Sequence, residues 1–258
     1  MADFIASCGF DGTDVTVRPK GHVEPARVEQ DLPLVVEALK KAGKEVTMIT
    51  TSILKADEPY AESILKTAGQ LGIQYYRPGW FKYDRSISID ENLKNFEEQL
   101  RGLIKLNQQY NIKASYQNHA GTGFGSPVWD IGQLLYKIDS PWLGCQYDVR
   151  HAVVEGGTSW PLGFDYVKPY INTLDIKDFI WTKENGKWIT KNVPLGEGMV
   201  DFDQYSKLVN TLPVSIPMCV HLEFPLGGAE HGDRKITMSP EEIKKTMMKE
   251  LEFVRARF

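Results

Sequence analysis

Short apolar segments alternate with amphipathic segments of helical length along the whole chain, and this alternation is what most constrains the fold. Apolar runs or strict alternation of apolar and polar residues indicate strands, and a 3.6-residue period between them indicates helices. A helix between two strands returns the chain to the same end of the sheet, so the strands are predicted to be parallel. The predicted strands are 13–18, 45–50, 74–78, 114–119, 144–149, 171–177 and 218–224. The predicted helices are 28–42, 58–71, 90–110, 127–138, 162–168, 203–211 and 240–256.

This pattern predicts an α/β fold, a TIM-type (β/α)8 barrel of which seven strands are visible in the chain. The missing one is the first, because residues 1–8 have the pattern of a helix that leads into the first visible strand. Three explanations stay open: a seven-stranded barrel, a gap filled by another chain or segment, or a strand that precedes these residues in a longer natural protein, which is the explanation that we favour. No linker or repeat divides the sequence, so residues 1–258 are predicted to form a single TIM-barrel domain.

Composition excludes several classes of protein. With 30 basic and 34 acidic residues and a net charge of -4, the chain has no basic run to bind nucleic acid. It also lacks the stretch of about 18 apolar residues that would cross a membrane. Three scattered cysteines do not indicate a disulfide framework. We therefore expect a cytoplasmic protein with a small-molecule partner, with export as the alternative if the natural N-terminus is longer. A homo-oligomer is compatible with the sequence.

Polar residues follow or end several of the predicted strands, where apolar packing does not account for them. The segment 144–151 is the clearest example, because Asp148 is its last inward residue and His151 lies just beyond. In a parallel barrel such strand ends converge at one face. The other residues of this kind are Gln117, His119, Asp175, Lys177, His221 and Glu223.

Two long segments lie beyond predicted strands, where barrel enzymes carry their loops. Asn185 and Gly186, between Trp181 and Trp188, predict a β-hairpin within 179–200. A second, polar segment covers 226–238.

Seven short motifs occur in a fixed order. They are Gly-Phe-Asp-Gly at 9–12, Tyr-Arg-Pro-Gly at 76–79, Gln-Asn-His-Ala-Gly at 117–121, Asp-x-x-His at 148–151, Asp-x-Lys-Asp at 175–178, Pro-Leu-Gly-Glu-Gly at 194–198 and the late Glu223. In these motifs the chain resembles the xylose isomerase-like TIM barrels, the sugar phosphate isomerase/epimerase group that includes the tagatose 3-epimerases. The likeness covers nearly the whole chain from Gly9 onward.

The resemblance implies a divalent metal ion held at four positions. Asp148 and Glu223 match the family ligands by identity, whereas Gln117 stands where the family has Glu and Asp175 stands where it has His. Amide and carboxylate oxygens suit hard cations, so the resemblance implies Mn²⁺ or Mg²⁺ ahead of Co²⁺ or Zn²⁺. Two other uses stay open, since Gln117 could be a structural amide and Asp175 could simply pair with Lys177.

The resemblance also implies a metal-dependent sugar or keto-sugar isomerase or epimerase that abstracts a proton next to a carbonyl. Gln117 cannot act as a base, so Glu223 is the remaining carboxylate base, and the proton would return from His119, His151, Lys177 or water. One base fits isomerisation or elimination better than epimerisation. The alternatives are a lyase or hydrolase of keto-glycosides and a non-catalytic sugar-binding barrel.

Further residues are candidates for binding the substrate. Cationic or imidazole groups beyond strand ends can bind hydroxyl, carboxylate or phosphate groups, and tryptophan can stack on a sugar ring. Other roles stay open, because His119 and His221 could be hydrogen-bonded core residues, His151 could orient Asp148, and the tryptophan could be a packing residue. The candidates are Arg18, His22, Arg77, Trp181, Glu197 and His221.

Overall fold

The computed structural model describes residues 2–213, 216–233 and 235–258. Seven parallel strands form one sheet in the order β1-β2-β3-β4-β5-β6-β9, and a separate antiparallel pair, β7-β8, is inserted after β6. The sheet curls into a nearly closed barrel, which confirms the predicted TIM-barrel architecture. The strands are β1 Gly12–Thr16, β2 Glu45–Thr50, β3 Tyr75–Arg77, β4 Lys113–Gln117, β5 Leu143–Asp148, β6 Ile171–Ile176, β7 Asp178–Glu184, β8 Lys187–Val193 and β9 Met218–Val220.

Helices follow the strands and cover the outside of the barrel. Apolar residues from both layers, such as Ile49 and Leu65, are fully buried between them. None of the helices in the described residues is long and apolar enough to cross a membrane. The helices are α1 Ala2–Cys8, α2 Val28–Lys41, α3 Ala61–Gln70, α4 Ile89–Tyr110, α5 Val128–Ile138, α6 Val149–Gly156, α7 Trp160–Val167, α8 Phe202–Val209 and α9 Pro240–Arg255.

The barrel is open between β1 and β9. Among the described residues, β1 pairs only with β2 and β9 pairs only with β6. A cavity of about 580 Å³ lies along this opening and is lined by residues of both edge strands, including Asp14 and Cys219. Residues of these two strands are mostly half-buried, whereas every residue of β5 is buried.

Several element boundaries differ from the prediction for local reasons. The predicted strand 144–149 ends at Asp148, whose carboxylate accepts a hydrogen bond from the backbone N–H of His151 and thereby caps α6, a helix that was not predicted. The last strand was predicted to reach residue 224 but ends at Val220. Among the described residues β9 pairs only with β6, so its backbone is held by a neighbouring strand on one edge.

Local turn and capping residues account for the hairpin and for the start of the last helix. Asn185 and Gly186 adopt φ values of 49° and 79° between β7 and β8, which confirms the predicted hairpin. Ser239 caps α9 in a reciprocal capping box with Glu242. The helix predicted to begin at residue 58 instead begins at Ala61.

Candidate active site

Four polar side chains meet where β4, β5 and β6 lie side by side. The parallel register aligns Gln117 with Gln146, and Asp148 with Asp175. All four side chains are buried, with exposures of 2% or less. Burying carboxylates is costly unless donors surround them, so the neighbours of Asp148 and Asp175 decide what the site can do.

The amide of Gln117 is oriented by a guanidinium group. Its Oε1 accepts a hydrogen bond from Nη1 of Arg77 at 2.8 Å, and its Nε2 donates to Asp148 and Asp175. A guanidinium can only donate, so the oxygen must face Arg77 and the NH₂ group must face the two carboxylates. Gln146 adds a second amide donor, whose Nε2 lies 2.7 and 2.8 Å from the two oxygens of Asp175.

Lys177 lies between two carboxylates. Its Nζ is 3.1 Å from Oδ2 of Asp148 and 2.9 Å from Oε1 of Glu223, and its side chain is only 3% exposed. Burial lowers the pKa of Lys177, but the charges of Asp148 and Glu223 outweigh that effect and leave the pKa raised. Lys177 is therefore a protonated ammonium at neutral pH, and an ammonium cannot act as a base.

His221 joins Asp175 to Glu223. Its Nε2 lies 3.3 Å from Asp175 and its Nδ1 lies 3.3 Å from Glu223. Burial lowers the pKa of His221, yet the charge of Asp175 dominates and the pKa is raised well above its ordinary value. Burial conversely raises the pKa of Glu223, but the hydrogen bond from His221 and the charge of Lys177 hold it well below the usual range.

His151 carries its proton on the nitrogen nearer the carboxylate. Nη1 of Arg150 lies 3.0 Å from Nδ1 of His151, and because the guanidinium is the donor, Nδ1 must hold the lone pair. The proton is then on Nε2, which lies 3.6 Å from Asp148. Burial, followed by the charge of Lys177, lowers the pKa of His151 well below its ordinary value, so the ring is neutral.

A row of π groups in contact, with tilted ring planes, crosses the ends of β3, β4 and β5. The guanidinium of Arg77 lies 4.1 Å from the ring centre of Trp80, and Trp80 lies 4.7 Å from His119. The rings of His119 and His151 are 4.0 Å apart. Desolvation and the charge of Lys177 lower the pKa of His119, so this row presents neutral imidazoles beside the buried carboxylates.

Sequence reasoning missed four polar residues of this network. On β1, Oδ2 of Asp14 accepts a hydrogen bond from Thr50 while its Oδ1 is buried without a hydrogen-bond partner. Asn192 of β8 accepts from Arg150 and lies 3.3 Å from Glu223, so the hairpin contacts the site. Strand alternation could have placed Asp14 inside the barrel, since it shares a face with Thr16. The missed residues are Asp14, Gln146, Arg150 and Asn192.

Other candidates lie outside this network. Glu197 is exposed and pairs with Lys249 of α9 at 2.9 Å. His22 is exposed and contacts Thr16, and Arg18 is exposed close by. Trp181 on β7 is 43% exposed and packs edge-on against Phe179. Their predicted roles in substrate binding stay predictions.

Asp178 shows how the loop after the hairpin is held. Its carboxylate accepts hydrogen bonds from the backbone N–H groups of Gly196, Gly198 and Val200. Burial raises the pKa of Asp178, and these backbone donors oppose that rise. The Asp-x-Lys-Asp motif therefore has two roles. Its last residue, Asp178, holds the Pro-Leu-Gly-Glu-Gly turn, and its lysine, Lys177, contacts Asp148 and Glu223 in the site.

Protein donors surround the oxygens of the predicted four-ligand metal site, which stays a prediction. Its seven ligand oxygens are the two of each carboxylate, Asp148, Asp175 and Glu223, and the one of Gln117. Each of them lies within 3.3 Å of a protein donor. Each of these oxygens has a second lone pair, so a hydrogen bond alone does not prevent coordination. The closer obstacle is the ammonium of Lys177, which lies 3.1 Å from Asp148 and 2.9 Å from Glu223 and would have to move before an ion could bridge these two residues.

A different group of side chains could hold a metal ion. Ligand atoms of Asp175, Cys219 and His221 all lie within 4.8 Å of one another. Burial raises the pKa of the Cys219 thiol, and the imidazole of His221 is held protonated by Asp175. Both groups would have to lose their protons before they could coordinate.

Comparison with known proteins extends these observations. A family model described as xylose isomerase-like TIM barrel matches residues 2–247, whereas no curated protein matches the chain. Among solved structures, the probable 3-DHS dehydratase AsbF of petrobactin synthesis from Bacillus anthracis is 16% identical, with a TM-score of 0.72 over 100% of this chain and 93% of that one.

Two further structures have the same fold. The 3-keto-D-glucoside 4-epimerase YcjR from E. coli is 14% identical, with a TM-score of 0.70 over 99% of this chain and 92% of that one. A xylose isomerase-like TIM barrel protein from Mycobacterium smegmatis, in complex with magnesium, is 16% identical, with a TM-score of 0.61 over 97% of this chain and 88% of that one. At such low identity these similarities establish the fold alone.

Proposed function

Because the chain belongs to the xylose isomerase-like TIM barrel family, we propose that it is an enzyme of the sugar isomerase/epimerase type that moves a proton next to the carbonyl of a sugar or keto-sugar. The observation that carries this proposal is one cluster at the strand ends. Lys177 contacts Glu223 and Asp148, and neutral His151 lies near the same oxygen of Asp148. An ammonium, a carboxylate and a neutral imidazole are the groups that such proton transfer uses.

The protonation states of Glu223, His151 and His119 determine which of them can act as a base in this proposal. Glu223 is ionised at neutral pH and 42% exposed, so it can take a proton from a substrate carbon in the barrel mouth. Its low pKa makes it a weak base, and the negative charge that develops on the substrate oxygen therefore needs strong stabilisation. His151 and His119 are neutral, so either imidazole can carry the proton to a second position.

A panel of ketoses, aldoses and keto-glycosides incubated with the protein in D₂O tests this proposal. We expect deuterium to enter the carbon next to the carbonyl of one sugar, detected by NMR or mass spectrometry. Loss of a general base costs about 10²–10⁴-fold, so Glu223→Gln should slow the exchange by that factor. Glu184→Gln, at the exposed end of the hairpin strand β7, is the matched control.

The products of the same assay separate the alternatives. Formation of an unsaturated sugar would identify an elimination and hence a lyase. That reaction begins with the same proton abstraction, so deuterium exchange can accompany it. Saturable sugar binding without exchange in any member of the panel would refute the enzyme proposal and favour a sugar-binding barrel. Binding of the expected Mn²⁺ or Mg²⁺ ion stays a prediction, and a metal titration tests it independently of the sugar assay.

A further inference from the structure

The positive charge at the centre of the site belongs to the protein itself. Asp148, whose side chain is completely buried, and Glu223 have one shared partner, the ammonium of Lys177, at 3.1 and 2.9 Å. These two residues are the ones that match the family metal ligands by identity. The cation that bridges these two carboxylates in this structure is therefore a lysine side chain.

We propose that the ammonium group of Lys177 takes the place of the divalent ion, by neutralising Asp148 and Glu223 and by donating a hydrogen bond to the carbonyl oxygen of the substrate. The inference rests on the proposed function for its last step. An ammonium has three N–H donors. One donates to Glu223 and a second can serve Asp148 at 3.1 Å, and no other acceptor for Lys177 is seen among the described residues. The proposal gives the third N–H to a substrate oxygen.

Gln117 supports this assignment independently of Lys177. A ligand at this position would have to offer its oxygen to the ion, but that oxygen accepts from Arg77 while the NH₂ group faces Asp148 and Asp175. Rotating the amide by half a turn would set NH₂ against a guanidinium and oxygen against two carboxylates. Both contacts would then be repulsive, and in a buried site each lost hydrogen bond destabilises the folded protein.

The chemistry balances without any further reactant. A base takes the proton from the carbon next to the carbonyl, the electrons of the broken C–H bond form a C=C bond, and the carbonyl π electrons move onto oxygen. The resulting enolate is stabilised by the N–H of Lys177, and return of a proton to carbon restores a carbonyl without net oxidation. A preformed charge in a site of low dielectric constant stabilises such an oxyanion better than water does.

Metal binding can be measured without knowing the substrate. Wild-type protein is dialysed against EDTA, freed of chelator and titrated with Mn²⁺, while electron paramagnetic resonance reports the free ion and a thermal melt reports Tm. We expect all of the added Mn²⁺ to remain free and Tm to be unchanged by Mn²⁺, Mg²⁺ or Zn²⁺. One tightly bound ion per wild-type chain would overturn the proposal.

Removing the ammonium should create the ion site. In Lys177→Met, the carboxylates of Asp148 and Glu223 lose their shared partner, so we expect one Mn²⁺ to bind per chain and to raise Tm. Lys177→Arg keeps the charge and should not bind the ion. Lys41→Met is the matched control, because Lys41 makes an exposed pair with Glu37 on α2. A folded Lys177→Met protein that ignores Mn²⁺ would also refute the proposal, and if this variant does not fold, the wild-type titration decides.

The two proposals fail in different ways. If wild-type protein binds no ion and catalyses no exchange with any sugar, the proposed function fails while the assignment of Lys177 as the resident cation stands. If exchange occurs and EDTA abolishes it, the function stands and the assignment of Lys177 fails. Exchange that survives EDTA and is lost in Lys177→Met supports both.

Discussion

The carboxyl group of Asp14 should make the stability of this protein depend on pH in an unusual direction. Burial raises the pKa of Asp14 to about 6, and the hydrogen bond from Thr50 only partly opposes this rise. An unfolded aspartate titrates near about 3.9, and a difference of about two pKa units corresponds to about 3 kcal/mol. Between these values the folded state binds more protons than the unfolded state, so stability decreases as the pH rises from 4 to 6.

Asp14→Asn removes this titration and keeps an acceptor for the Thr50 hydroxyl. Urea denaturation of both proteins at half-unit intervals from about pH 4 to 7.5 measures the difference in unfolding free energy. We expect the variant to gain about 3 kcal/mol relative to wild type across this range. Asp57→Asn, on an exposed surface, is the control. A free-energy difference between Asp14→Asn and wild type that stays constant with pH would show that Asp14 titrates like an exposed carboxyl group, and the reasoning would be wrong.

Three other substitutions test the hydrogen bonds described above by denaturant titration. Asp178→Ala should cost about 2–4 kcal/mol, because several backbone N–H groups of the following loop lose their acceptor; a cost below 1 kcal/mol would mean that water replaces it. Tyr76→Phe should cost about 1 kcal/mol, since the hydroxyl donates to buried Asn107, and no change would contradict that role. Gln117→Glu should lower the free energy of unfolding by about 2–4 kcal/mol at pH 8, because a carboxylate replaces the amide that donates to Asp175. The loss should be smaller at pH 5, where the introduced carboxyl group can be protonated and donate again. An equal loss at both pH values would refute this explanation.

Much of the architecture was predictable because it depends on local periodicity. The alternation of strands and helices determined the barrel, and the strand end at Asp148 correctly located a buried carboxylate. Asn185-Gly186 determined the hairpin because few residue pairs adopt positive φ at both positions. These features need information from only a few neighbouring residues, which a single sequence contains.

The electrostatic character of the site was not predictable in the same way. Nothing near Gln117 in sequence shows that Arg77 faces its oxygen, since the two residues are 40 positions apart. The partners of Lys177 are likewise distant in sequence, with Glu223 lying 46 positions away. Asp14 was overlooked because it lies in the middle of β1, whereas attention to strand ends selects residues at the barrel mouth. Which donor meets which carboxylate depends on the register of neighbouring strands, and periodicity does not fix that register.

The orientation of the Gln117 amide has a consequence for how such a site can change over evolutionary time. Glutamine and glutamate differ by one nitrogen in place of one oxygen, and a single nucleotide change interconverts their codons. A lineage that changed Gln117 to Glu first would place a fourth carboxylate beside Asp148, Asp175 and Glu223, with Lys177 still present. A lineage that lost Lys177 first would leave Asp148 and Glu223 without their shared counter-ion. Each single step passes through a protein with unbalanced buried charge, so the order of the two substitutions, and the supply of divalent ions when they occur, would determine which lineages survive the change.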